Sequence, residues 1–114
     1  MVEIAKLKFK SNETMIIANN NKAMEKLTTT IRREPLCEIL KGTKKVEYRE
    51  IKEYWEKRLQ KYQAPFLLRL INGMSKNAPE LTVIVLKIKR DSYNGLFELH
   101  LGEIVETKNC DTLI

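Results

Sequence analysis

The chain has 114 residues, with 21 Lys and Arg against 15 Asp and Glu, and a formal net charge of +6. A chain of this length builds one hydrophobic core, which excludes a multidomain enzyme and predicts a single domain over residues 1–114. Hydrophobic residues make up 43% of it, with four Gly and three Pro, so the sequence is not of low complexity.

Residues 1–32 predict two short strands separated by polar sequence. Imperfect alternation in residues 1–10 predicts a short edge strand, and the polar residues 11–21 predict a loop. Residues 22–27 are consistent with a short helix or with no regular structure. Residues 28–32 carry β-branched side chains at four consecutive positions and therefore predict a strand.

A helix, a strand and a second helix are expected next. Residues 33–41 predict a short helix, because Pro35 fits a first helical turn and Gly42 fits the left-handed position that ends a helix. Residues 44–49 alternate and predict a strand, and a helical stripe begins at residue 50 and reaches residue 62. The alternation gives the strand a charged face formed by Lys45, Glu47 and Arg49.

The second half of the sequence predicts β-structure throughout. Strands are expected over residues 65–72, 81–90 and 96–105. Asn94 and Gly95, within the connection between the last two strands, are typical of a β-hairpin. Together with the helices, these strands predict an α+β fold, a small β-barrel of about five or six strands with short helical inserts.

The sequence contains no signal for a membrane span, a secretory leader or a metal site. The uncharged run at residues 81–86 is far shorter than the ~20 residues of a membrane helix, and residues 1–10 lack the continuous apolar stretch of a secretory signal. Cys37 and Cys110 are too few for a disulfide framework or a zinc site, so we expect both to be reduced and structural. We therefore expect a cytosolic protein with no membrane contact, metal or cofactor.

The positive charge is concentrated in one segment. Residues 41–62 hold eight Lys and Arg against four Asp and Glu, so this segment carries +4 of the total +6. A concentrated basic segment attracts polyanions, which makes nucleic acid the first partner to consider. The alternative is that these charges form a solvated helix face.

The most specific motif in the chain follows the predicted first helix. Its fixed positions are Gly42, Lys44, Glu47 and Arg49. These four residue types at this spacing, directly after a short helix, resemble the signature of the ASCH domain family. The resemblance covers about residues 27–106, with residues 99–104 similar to the family's closing strand, and leaves residues 1–26 as an N-terminal extension of unknown role.

The resemblance implies a β-barrel similar to the PUA fold, with a cleft beside the motif that binds RNA or a nucleotide-like ligand. The residue chemistry agrees, because Lys44 and Arg49 can donate to phosphate and Glu47 can accept from a base amino group. The alternative is that Glu47 and Arg49 pair with each other at a barrel rim. The expected ligand contacts are Gly42, Lys44, Lys45, Glu47, Arg49, Tyr54 and Arg58.

Some ASCH members similar to this chain are amidohydrolases acting on acetylated cytidine. In that branch a Thr stands at the position of Glu47 and works with the Lys at the position of Lys44 and a Glu from a later strand; here the nearest Thr is Thr43, before the Lys. If the chain is an enzyme, Lys44 and Glu47 carry catalysis, with Glu98 or Glu103 as the later carboxylate. We favour a binding module over this hydrolase, and a protein-interaction adaptor is a third reading.

The second helix and the last strand contain further candidates. Tyr54 and Arg58 are expected to face outward as ligand contacts, whereas Trp55 is expected in the core. His100 shares a predicted strand face with Glu98, an arrangement that suits either acid–base chemistry or a solvated surface.

Overall fold

The structure, a computed structural model, describes residues 24–113. In chain order the elements are β1 (Lys26–Thr30), α1 (Arg33–Leu40), β2 (Val46–Glu50), α2 (Glu53–Leu59), β3 (Phe66–Ile71), β4 (Glu80–Asp91), β5 (Leu96–Lys108) and a 3₁₀ turn (Asp111–Leu113). The predictions made for residues 1–21 lie outside the described residues.

The strands form one five-stranded mixed sheet in the order β1-β3-β4-β5-β2. β1 pairs with β3 in parallel, and the other neighbouring strands are antiparallel. The sheet curls into a half-barrel, so its two edge strands, β1 and β2, approach each other. The expected α+β class and small barrel-like sheet are confirmed at this level.

The first helix lies almost where its periodicity places it. α1 ends at Leu40, and Gly42 follows with φ +80°, the left-handed conformation that glycine adopts without steric cost. The amide of Gly42 donates to the carbonyl of Ile39 at 3.0 Å, which closes the last turn. The predicted second helix is too long at both ends, because Glu50 still pairs with Leu96 in the sheet and α2 ends at Leu59.

The prediction for the first described strand is wrong by two residues. β1 begins at Lys26, inside the segment that the sequence assigned to a short helix or to no regular structure. The cause is non-local, because β3 pairs with this segment in parallel, with Lys26 opposite Leu67 and Leu27 opposite Leu68. Leu27 is thereby buried in the core, which no local pattern indicates.

The hydrophobic core fills the inner face of the curled sheet. Leu36 and Ile39 of α1 and Leu59 of α2 pack against this face. Its fully buried strand residues are Leu27, Phe66, Leu68, Leu70, Leu81, Val83, Val85 and Leu99. Cys110 is buried in the same core, Cys37 is half-buried, and both are free. None of the helices within residues 24–113 is long and apolar enough to span a membrane.

Candidate functional site

The turn after α1 places the motif at the start of β2. The carbonyl of Glu38 accepts from the amides of Thr43 and Lys44 at 3.0 and 3.2 Å. The Thr43 hydroxyl also donates to this carbonyl, at 3.2 Å. The hydroxyl of Thr43 therefore serves the end of the helix, and the chain reverses so that Lys44 stands at the edge of the sheet.

The charged face of β2 points into the half-barrel rather than to solvent. Glu47 lies opposite Leu99 and Arg49 opposite Phe97, and both of these β5 residues are buried. Cross-strand partners share one face of a sheet, so Glu47 and Arg49 lie on the inner face. Glu47 is only 6% exposed. The predicted alternation is confirmed within Val46–Glu50, with Glu47 and Arg49 on the interior side, whereas Lys45 precedes the strand and is exposed.

Glu47 is held between two cations. Its Oε2 accepts a hydrogen bond from Nη2 of Arg49 at 2.7 Å, and its Oε1 lies 3.6 Å from Nζ of Lys44. A carboxylate buried without such partners would cost several kcal/mol, so the two cations are what allow it to be buried. The alternative reading, in which Glu47 and Arg49 pair with each other, describes this contact correctly.

Arg49 also connects the two edges of the sheet. The same Nη2 donates to the carbonyl of Thr30, at the end of β1, at 3.0 Å. The guanidinium carbon lies 5.1 Å from the ring centroid of Trp55, which is within the range of a cation–π contact. Trp55 is buried, as its helical spacing predicts, and its ring supports the arginine from α2.

These residues form one wall of a cleft between the two sheet edges, here called the β1–β2 cleft. Its volume is about 580 Å³. One side is built from Thr30, Ile31, Arg32 and Pro35, and the other from Lys44, Glu47, Tyr48, Arg49, Glu50 and Trp55. A cleft of this size is within the usual range for small-ligand sites, which is roughly 300–1,000 Å³.

The structure brings together only part of the predicted set. Lys44, Glu47 and Arg49 converge on the β1–β2 cleft. Gly42 and Lys45 line a smaller neighbouring cleft of about 230 Å³, which shares Lys44 with the larger one.

Tyr54 and Arg58 of α2 lie beside Trp55 and contact each other. Arg58 stacks on the Trp55 ring at 5.2 Å and donates from Nη2 to the carbonyl of Thr28 at 2.7 Å. Tyr54 is exposed, as expected, and accepts from Arg58. Neither residue lines the β1–β2 cleft.

Sequence reasoning missed the β1 side of the cleft. Thr30, Arg32 and Pro35 lie seven to twelve positions before Gly42, outside the motif, and carry no pattern that assigns them to the same site. They reach the cleft because the curl of the sheet brings the end of β1 against β2. Only that long-range arrangement, which a single sequence does not reveal, could have identified them.

The residues considered for hydrolysis are divided between different surfaces. Glu98 lies opposite Tyr48 on the outer face of the sheet, where its carboxylate contacts Nε2 of His100 at 3.1 Å. It is therefore separated from Glu47 by the sheet. Glu103 lines the smaller cleft beside Lys44 and is exposed. Within residues 24–113, no three His, Cys, Asp or Glu side chains are grouped as a metal site requires.

No family model matches the chain, and no curated protein matches it.

Proposed function

We propose that this protein is an ASCH-like domain of PUA type that binds RNA or a nucleotide-like ligand in the β1–β2 cleft. The observation that carries the proposal is a buried carboxylate, Glu47, held between Lys44 and Arg49 in the wall of that cleft. The resemblance of the motif to the ASCH signature supports the same conclusion.

Glu47 retains capacity to accept hydrogen bonds from a ligand. Among the described residues its only hydrogen-bond donor is Arg49, which uses Oε2, and the 3.6 Å separation between Oε1 and the Lys44 amine is longer than a hydrogen bond. An ionised carboxylate offers about four acceptor sites. An exocyclic amino group of a base, which is a double donor, fits this requirement.

The rim of the cleft suits a phosphate. Arg32 lines the β1 side of it and Lys44 the β2 side, and Arg49 reaches from β2 to the carbonyl of Thr30 on the β1 side. Glu47 and Glu50 contribute negative charge, so the cleft carries three cations against two carboxylates. This mixture favours a ligand with both an anionic and a hydrogen-bond-donating part over a plain polyanion, and a nucleotide has both.

Binding titrations test the proposal. Nucleoside monophosphates and single-stranded and structured RNAs are titrated at several salt concentrations against the wild-type protein and the Lys44→Ala/Arg49→Ala variant. Each lost charge-assisted hydrogen bond contributes about 1.5–3 kcal/mol, so the double variant is expected to bind at least tenfold more weakly. Lys57→Ala, which removes an exposed cation paired with Glu53 on α2, is the matched control.

Two results would overturn the proposal. One is the absence of any nucleotide or RNA affinity even at low salt, and the other is affinity that the double variant leaves unchanged. Because Arg49 also bonds to Thr30, thermal unfolding of each variant is recorded, and Lys44→Ala alone provides a second test that leaves that bond intact.

The same protein preparation distinguishes binding from the two alternative functions. Incubation with acetylated cytidine, followed by mass measurement, yields deacetylated product only if the cleft hydrolyses its ligand. A pull-down of an acidic protein that survives nuclease treatment would favour an adaptor.

A further inference from the structure

The outer face of the half-barrel carries a second group of charged and aromatic side chains. β2, β5 and β4 are adjacent, and their outward residues form cross-strand rows in which Tyr48 lies opposite Glu98 and Glu98 opposite Lys89. The neighbouring row places Lys87 beside His100. The outer face is defined here by Tyr48, Leu86, Lys87, Lys89, Glu98 and His100.

A bulge in β4 shapes this surface. The β4–β5 register shifts between Val85 and Lys87, which turns Leu86 outward and keeps Lys87 on the outer face. Leu86 lies over Gly102, where an added Cβ would come within 3.0 Å of its side chain. Leu86 nevertheless remains 57% exposed, and Lys87 and Lys89 are exposed beside it. No helix of the described chain therefore covers this region.

The surface has positive charge available for a ligand. Within residues 24–113, neither Lys87 nor Lys89 is part of an ion pair, and the carboxylate of Glu98 is in contact with His100. Tyr48 is 48% exposed in the adjacent strand. Tyr48 shares the outer face with these lysines, and Glu98 of β5 lies between Tyr48 and Lys89 in the same cross-strand row. Single-stranded nucleic acids bind surfaces that carry both exposed aromatic rings and lysines, with bases stacking on the ring and phosphates contacting the amines.

Lys44 connects this surface to the β1–β2 cleft. Its amine lies 3.6 Å from Oε1 of Glu47, inside the cleft, and 5.1 Å from the ring centroid of Tyr48. Tyr48 also lines the cleft. The edge of β2 is therefore a continuous path from the cleft to the outer face.

We propose that the outer face binds a single-stranded nucleic acid as it leaves the β1–β2 cleft, with a base stacked on Tyr48 and phosphates against Lys87 and Lys89. β2 and β4 lie two strand spacings apart, about 10 Å, so a few nucleotides cover the distance. This inference rests on the proposed function of the cleft. It adds that the ligand is a single strand several nucleotides long, which runs from the cleft onto the outer face.

Oligonucleotides of different lengths test the inference. The Lys87→Ala/Lys89→Ala variant is titrated with a mononucleotide, and with single-stranded oligonucleotides of about nine residues, a length within known single-strand site sizes. We expect mononucleotide affinity to stay within about twofold and the longer ligand to bind about three- to tenfold more weakly at low salt. The slope of log K against log salt should fall by about 1.4, because each lost phosphate contact on a single strand removes about 0.7.

Lys57→Ala/Lys61→Ala is the matched control, because it removes the same charge from the region of α2. This control should leave the salt slope of the longer ligand unchanged. The inference is wrong if the Lys87/Lys89 variant binds the longer ligand like the wild-type protein, or if it weakens the mononucleotide equally. It is also wrong if an acidic peptide depends on these lysines while the oligonucleotide does not.

The titrations distinguish a wrong proposal about the β1–β2 cleft from a wrong proposal about the outer face. If Lys44→Ala/Arg49→Ala leaves mononucleotide binding unchanged, the proposed function of the cleft is overturned. The outer face is then judged by the longer ligand alone, through its dependence on Lys87 and Lys89.

Discussion

Two carboxylates within residues 24–113 are buried, and they differ in how many of their oxygens accept hydrogen bonds from the described residues. Glu80 accepts two hydrogen bonds from Arg69, at 2.7 and 2.9 Å, so both of its oxygens are occupied. Glu47 accepts one hydrogen bond, from Arg49, and its second oxygen is turned toward Lys44 at the cleft. Both oxygens of Glu80 therefore accept a hydrogen bond from the described residues, whereas only one oxygen of Glu47 does.

The pairing of Glu80 predicts a dependence of stability on pH. The hydrogen bonds from Arg69 hold the pKa of the Glu80 carboxyl below its ordinary value of 4.5. As the pH falls below this ordinary value, the unfolded chain binds a proton at Glu80 before the folded protein does. The stability that the ion pair contributes is therefore complete above the ordinary pKa and is lost as the pH falls toward the folded pKa.

Urea unfolding between neutral pH and about pH 3 measures this effect. The free energy of unfolding should fall less steeply with acidification in Glu80→Gln than in the wild-type protein, because Gln does not titrate. Glu103→Gln, which removes an exposed carboxylate from β5, controls for the change in net charge. Parallel curves for Glu80→Gln and the wild-type protein would contradict the assignment.

At the scale of elements, the free edge of β1 is protected by side chains rather than by another strand. The carbonyls of Lys26, Thr28 and Thr30 accept hydrogen bonds from Tyr62, Arg58 and Arg49, at 3.3, 2.7 and 3.0 Å. These are alternate residues, so their carbonyls point away from β3. Unpaired edge groups invite pairing with other chains, and these donors occupy them.

Arg58→Ala should loosen this edge without unfolding the molecule. It removes the hydrogen bond to Thr28 and the stacking on Trp55, so we expect a loss of about 1–2 kcal/mol in the free energy of unfolding. Amide hydrogen exchange should accelerate in the β1–β3 ladder and remain slow in β4 and β5. Lys57→Ala on the same helix is the control, and uniform acceleration across the sheet would argue against a local role for Arg58.

An element can be predicted from the sequence when the signal that determines its position lies within the element or next to it. α1, its end at Gly42 and the long β4–β5 hairpin are recognised because periodicity, a left-handed glycine and a turn sequence are local signals. The start of β1 is missed because its cause is pairing with β3, about forty positions away. The alternation of β2 is found, but its inward direction follows from the sheet order, which a single sequence does not reveal.

For the candidate site, the sequence identified one wall and not the other. Lys44, Glu47 and Arg49 are found because they form one compact motif, whereas Thr30 and Arg32 come from a different edge of the sheet. The count of charges by segment also misses part of the positive surface. Lys87 and Lys89 belong to residues 63–114, where positive and negative charges balance, and only the fold places them near the basic segment.

At the scale of the whole molecule, the two faces of the half-barrel differ in burial along residues 97–101 of β5. Phe97, Leu99 and Leu101 of β5 face the core, and Glu98 and His100 face outward. The two proposals depend on this asymmetry, because the cleft requires a closed interior and the outer face requires an open exterior.

Two substitutions of the same kind measure the asymmetry. Leu99 on the inner face is 1% exposed and Leu86 on the outer face is 57% exposed. Leu99→Ala should lower the free energy of unfolding by about 2–5 kcal/mol, because it leaves a cavity in the core. Leu86→Ala should cost less than about 1 kcal/mol, because its side chain is largely in solvent already. Urea unfolding of both variants under identical conditions provides the comparison. Equal losses in the free energy of unfolding would mean that another part of the molecule covers the outer face. Lys87 and Lys89 would then be inaccessible to a nucleic acid.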